Sequence, residues 1–154
     1  MTITLPLTGG CLCGAVRYEV TAQRLLVTAC HCTTCQTRSG SAFAMTMIVP
    51  RGALGVTQGQ PITREIPSAS GRVSAHYYCD ACLVRLYSEP AMPTISYVRP
   101  GTLDDRKWIT PAAQIWTRSA QPWAIAEGVP CFEEGFTDAG ALIAAWQAAH
   151  QVGG

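Results

Sequence analysis

The chain has 154 residues, of which 48% are hydrophobic and only 14% charged, against about 25% charged in an ordinary soluble domain, so it is neither a disordered chain nor a charged tail. Eleven Lys and Arg against ten Asp and Glu leave a formal charge of +1, which argues against a phosphate backbone as partner: no nucleic acid is expected. A chain of this length buries roughly 70% of its unfolded surface as one domain, whereas two domains would each be small, so residues 1–154 are expected to form one unit.

The opening segment, MTITLPLTGG, has neither a basic region nor an apolar run of the kind that directs secretion. The apolar stretch Ala141 to Trp146 is far too short to span a bilayer. No membrane partner is expected, and a cytoplasmic location is. Ala15 to Val20 alternates like a half-buried strand, and Leu25 to Ala29, Phe43 to Val49 and Arg72 to Tyr78 are further runs rich in β-formers. Glycines and prolines punctuate the middle at intervals too short for helices, so residues 10–118 are expected to be all β, with later strands at Ile95 to Val98 and Gln114 to Thr117. Only the end has helical spacing: Leu142, Ala145, Trp146 and Ala149 recur on one face, with Thr137 or Asp138 available as N-cap. A helix over about 138–150, covering an edge of the sheet body, is predicted.

Eight cysteines remain to be explained, too few for a disulfide scaffold and too clustered for packing alone. They fall as Cys11-x-Cys13, Cys30-x-Cys32-x-x-Cys35, Cys79-x-x-Cys82 and Cys131. In a reducing compartment such elements are metal ligands or redox groups rather than disulfides. A Cys-x-x-Cys turn aims two sulfurs at one point, and two such elements complete a tetrahedral zinc cage. Soft thiolates select zinc, copper(I) or iron–sulfur chemistry, and no spacing here matches a ferredoxin run, which leaves zinc as the default. The simplest partition closes a four-sulfur site from Cys11, Cys13, Cys79 and Cys82 and leaves Cys30, Cys32 and Cys35 with an open position. Closed coordination marks a structural zinc and an open position a catalytic one. Three thiolates leave a dication net negative, which blunts its power to acidify water and argues against a hydrolase. Such a site suits a fourth sulfur, deprotonated on binding and ready to attack a carbonyl.

The segments GGCLCGAVRYEV, ACHCTTCQTRSGSAF, YYCDACLVRLYSE, VRPGTLDD and IWTRSAQPW, in this order over about residues 9–125, resemble the glutathione-dependent formaldehyde-activating enzyme family, which also includes the centromere protein V group. The resemblance implies an Mss4-like fold: mainly β, a tent of small antiparallel sheets, here with a short C-terminal helix. It assigns Cys11, Cys13, Cys79 and Cys82 to structural zinc and Cys30, Cys32 and Cys35 to catalytic zinc. The implied activity is addition of glutathione to formaldehyde, giving S-hydroxymethylglutathione, formally a carbon–sulfur lyase run in the direction of synthesis. A small thiol and an aldehyde are therefore the expected partners. Two departures stand out: Leu83 and Val84 occupy the place of the family's usual Gly-Thr pair after Cys82, and Gln114 stands where a histidine is common.

Glutathione carries two carboxylates, so its cleft needs arginines. Arg38, three residues after Cys35, is the best placed, and Arg118 in the WTRSAQPW segment the next. Neighbours in an extended chain point apart, so His31 is expected to support the metal ligands rather than join them. His76 reads as an ordinary strand residue and His150 as exposed at a helix end. Trp108, Trp116 and Trp123 are expected in the core, with a pocket wall as the alternative, and Asp104 and Asp105 in a turn. Cys131 is expected to be buried, the alternative being a fourth ligand that closes the second site. Two other functions stay open: a zinc-stabilised binding module with only structural metal, and redox sensing through the three-cysteine group.

Overall fold

The computed structural model describes residues 3–23, 26–68, 71–150 and 152–153. In chain order the elements are β1 (Ile3–Thr4), β2 (Leu7–Gly10), β3 (Arg17–Val20), β4 (Leu26–Cys30), α1 (Thr33–Ser39), β5 (Ala44–Pro50), β6 (Leu54–Gln58) and β7 (Ile62–Pro67). They continue with β8 (Val73–Tyr78), β9 (Arg85–Glu89), β10 (Ile95–Val98), β11 (Ala113–Ile115), α2 (Ala139–Ala149) and β12 (Val152–Gly153). Seven strands form one sheet in the order β11-β4-β5-β10-β9-β8-β7, antiparallel except for the β11–β4 pair. A three-stranded sheet β2-β3-β6 and a parallel pair β1–β12 complete the architecture. The large sheet does not close into a barrel; β11 and β7 are its edges. The expected mainly β fold of small sheets with a short C-terminal helix is what forms.

The sheets share one apolar core. β3 alternates, burying Tyr18 and Val20, and these join Val27 of β4, Met47 and Val49 of β5, Leu86 of β9 and Val98 of β10. β4 is buried from Leu26 to Ala29 without alternation, because it lies between β11 and β5 and α2 packs against it. Trp146 anchors α2: it is buried and its indole N–H donates to the Thr110 carbonyl at 3.2 Å.

Helix α2 starts as expected, with the Asp138 carboxylate accepting from the Ala141 N–H. Within its stripe, however, only Trp146 is fully buried. Several expectations need correction. Residues 10–118 are not all β, because α1 lies between β4 and β5. The strand expected from Gln114 to Thr117 spans Ala113–Ile115 and stops at Trp116, whose φ of 58° cannot continue a strand. Leu25 of the second predicted strand lies outside the described residues. Strands β2, β6, β7 and β9 were hidden by their composition: β7 is largely exposed at the sheet edge and presents little apolar alternation.

Candidate functional site

Seven of the eight cysteines gather into two clusters. The Sγ atoms of Cys11, Cys13, Cys79 and Cys82 all lie within 4.8 Å of one another, as do those of Cys30, Cys32 and Cys35. In the larger cluster Cys11 and Cys13 are 3.6 Å apart and Cys13 and Cys79 3.7 Å. A tetrahedral ion with metal–sulfur bonds near 2.3 Å places its ligands about 3.8 Å apart, close to these two distances, so the donor set is compatible with zinc.

Two equivalent turns build this cluster. The Cys11 N–H donates to the Val16 carbonyl and the Cys79 N–H to the Val84 carbonyl, each at 3.0 Å and each spanning five residues. In both turns the residue after the second cysteine takes positive φ: Gly14 at 79° and Leu83 at 59°. A glycine adopts this geometry freely and a leucine does not, which locates the physical consequence of the Leu83 departure. Burial pushes Cys11 upward, but the Val16 N–H on its sulfur and the neighbouring thiols outweigh it and leave a net lowering. Backbone N–H donors at Val84 and Cys13 bring Cys82 down to about 6. Cys13 moves the other way: the Ala15 backbone lowers it, but its contacts with Cys11, Cys79 and Cys82 outweigh this and raise it to about 11.

The smaller cluster stands at the junction of β4 and α1. Cys30 ends β4, where it pairs with Ala44 and Ile115. Cys32 caps α1, its sulfur accepting from the Cys35 N–H at 3.3 Å. Gln36 ties the helix down by donating to the His31 carbonyl at 2.7 Å and the Ser119 carbonyl at 2.9 Å. The Cys30 thiol, hydrogen-bonded to Cys35, brings Cys35 down to about 6 against burial, with smaller contributions from Cys32, Arg85 and Arg38. Cys30 is driven up by the same bond and by burial.

The remaining predicted residues divide clearly. His31 is fully buried against Phe43, and its ring belongs to neither cluster. Burial lowers its pKa, opposed by a smaller contribution from Gln114. Cys131 is exposed rather than buried, and accepts from the Gln114 amide instead of completing the smaller cluster. Arg38 lines a cavity of about 300 Å³ that also exposes Cys30 and Cys35. Arg118 does not line it; its guanidinium is paired with Glu134 and lies over Trp116. Trp108 is core, whereas Trp116 and Trp123 are 37% and 76% exposed, contrary to the core expectation. His150 is also not free in solvent: it stacks on Trp146 and its Nδ1 lies 2.9 Å from the Trp146 carbonyl. Asp104 has a structural role, binding Thr8 and Arg17 and joining the 100–104 turn to β2 and β3.

A model of the glutathione-dependent formaldehyde-activating enzymes matches residues 6–119. The chain belongs to this family. A crystal structure of a Rhodobacter sphaeroides protein is similar in fold, with a TM-score of 0.52 at 20% identity over 81% of this chain and 99% of the other. No curated protein matches the sequence. Family membership accords with the two metal-compatible clusters, and among the described residues no helix is long and apolar enough to cross a membrane.

Three features of the site were missed by the sequence reading. Helix α1 is one; the others are His76 and Arg85, which line the same cavity as Cys30 and Cys35. Gln114 is 1% exposed and does not line the cavity beside Cys30 and Cys35. Its amide donates to the Ala126 and Val129 carbonyls and its Oε1 accepts from the Ala126 N–H, pinning the 126–131 segment beside β11.

Proposed function

We propose that this protein is a zinc-dependent carbon–sulfur lyase that adds a small thiol of the glutathione type reversibly to an aldehyde such as formaldehyde. Cys11, Cys13, Cys79 and Cys82 hold a structural zinc, and Cys30, Cys32 and Cys35 hold the catalytic one. The observation that carries this is the contrast in donor count: one cluster brings four sulfurs together and the other three, two of which, on Cys30 and Cys35, line a cavity. A zinc ion held by Cys30, Cys32 and Cys35 would supply a Lewis acid that lowers the pKa of a thiol bound beside it. Addition of the thiol to the aldehyde forms one carbon–sulfur bond, breaks the S–H bond and the carbonyl π bond, and passes the thiol's proton to the carbonyl oxygen, which becomes a hydroxyl. The contribution of the chain is positioning. Cys30 is fixed by β-pairing on both sides, Cys32 and Cys35 by the first turn of α1, and α1 by Gln36.

Zinc per chain, measured in the intact protein and in Cys32→Ala, tests the assignment. Two ions are expected in the intact protein and one in a folded variant, and the acceleration of S-hydroxymethylglutathione formation over the uncatalysed addition, followed by NMR exchange with formaldehyde and glutathione, should be lost with the second ion. A folded variant that keeps both ions and full activity refutes the role of this cluster. One ion per intact chain with no acceleration leaves a binding module held by structural metal.

A further inference from the structure

The cavity beside Cys30 and Cys35 is lined by Arg38, His76, Arg85 and Arg99, and no aspartate or glutamate lines it. The ion pairs among the described residues engage Arg17, Arg51 and Arg118, so none of the three cavity arginines has a carboxylate partner. Arg99 is turned to the Met45 carbonyl. Arg85 is half-buried, and its Nη1 lies 2.9 Å from His76 Nδ1. An arginine can only donate, so Nδ1 is the acceptor; the imidazole is neutral and carries its proton on Nε2. Burial lowers the pKa of Arg85 against the opposing effect of Tyr78 and, more weakly, Cys35, and the like charge of Arg38 adds to the lowering. The Cys35 sulfur shares the cavity and acts on Arg85, but no carboxylate meets the half-buried guanidinium, whose planar fork is left for an entering anion. Ile48, Ile115 and Phe136 supply apolar wall for a short carbon chain.

We propose that this cavity binds a carboxylate, with Arg85 as its principal partner and His76 as the positioning residue that fixes the guanidinium, so that the thiol used by the site is an acidic one. The substrate class rests on the function proposed above; the carboxylate site itself does not. A planar guanidinium takes a carboxylate through two parallel hydrogen bonds. The shared cavity puts this contact within the length of one small molecule of the Cys30 and Cys35 sulfurs.

Calorimetric titration of the zinc-loaded protein with three probes tests the proposal. They are 3-mercaptopropionate, 2-mercaptoethanol and 3-(methylsulfanyl)propionate, the last having the acid but no thiol. The acidic thiol should bind at least about tenfold more tightly than the neutral one, as expected for a charge-assisted contact worth more than about 1.4 kcal/mol. Arg85→Gln should abolish that preference and all binding of the methylsulfanyl acid, with Arg85→Lys retaining part of both. His76→Phe should weaken both acids while 2-mercaptoethanol is unaffected, and His76→Gln, whose amide oxygen still accepts, should restore them. Equal binding of acidic and neutral thiols by the wild-type protein overturns the proposal without any variant, as does a full preference surviving in Arg85→Gln. Arg85-dependent binding of the methylsulfanyl acid with no thiol binding supports the carboxylate site and refutes the thiol chemistry proposed above.

Discussion

Replacing Leu83 by glycine should stabilise the protein, although it removes a large apolar side chain. Leu83 occupies the left-handed region at φ 59°, where an L-residue costs roughly 1–2 kcal/mol. The side chain is 69% exposed, so little buried apolar area is lost with it. Glycine returns part of the gain, about 0.5–1 kcal/mol, through its greater freedom in the unfolded chain. The net expectation is a stabilisation of about 0.5–1 kcal/mol, or a rise of a few °C at most in Tm. Urea unfolding at a fixed free zinc concentration measures it, since zinc binding contributes to apparent stability. Leu83→Ala is the control, because it deletes the side chain but keeps the strained φ. The reasoning fails if glycine and alanine shift the midpoint equally, or if glycine lowers it.

Three further outcomes are expected. Cys79→Ser removes a buried ligand from the four-sulfur cluster; a structural zinc is worth about 10–16 kcal/mol in peptides, comparable to a whole domain's stability, so cooperative unfolding followed by circular dichroism should be lost. Gln114→Ala removes the hydrogen bonds to the exposed Ala126 backbone, which water can replace, and should cost about 0.5–1.5 kcal/mol in urea unfolding; a change below experimental error shows that the 126–131 segment is held by other contacts. Burial, with Arg85 and Arg38, lowers His76 from 6.5 to about 4, so between those values the unfolded chain binds the extra proton. Stability should therefore be full above about pH 6.5 and fall as pH drops toward 4, and His76→Gln should flatten that part of the profile in unfolding measured against pH.

Much of the candidate site was legible because metal ligation imposes short-range spacing. Cys11-x-Cys13 and Cys79-x-x-Cys82 each form a turn, and the counting of sulfurs needed no knowledge of the fold between them. Helix α1 escaped because its start is signalled by Cys32, a sulfur acting as N-cap, in place of the usual Ser, Thr, Asp or Asn. The arginines were harder, since a guanidinium carries no local pattern that distinguishes a cavity from a solvated surface. Arg118 sits in a distinctive motif yet is paired with Glu134, whereas Arg85, three residues after Cys82, lines the cavity with Cys30 and Cys35.

What places Arg85 is the register of β8 and β9. Tyr78 pairs with Arg85 and His76 with Ser88, with a shift of register after Tyr77. The connection between these two strands is the Cys79–Cys82 turn itself, closed by the Cys79 N–H to Val84 carbonyl bond. Strand register depends on turn geometry, and a slip of one residue would move each side chain to the opposite face of the sheet. The Cys79–Cys82 turn therefore helps to set which faces of β8 and β9 carry His76 and Arg85, and so which charged side chains line the cavity at the other cysteine cluster.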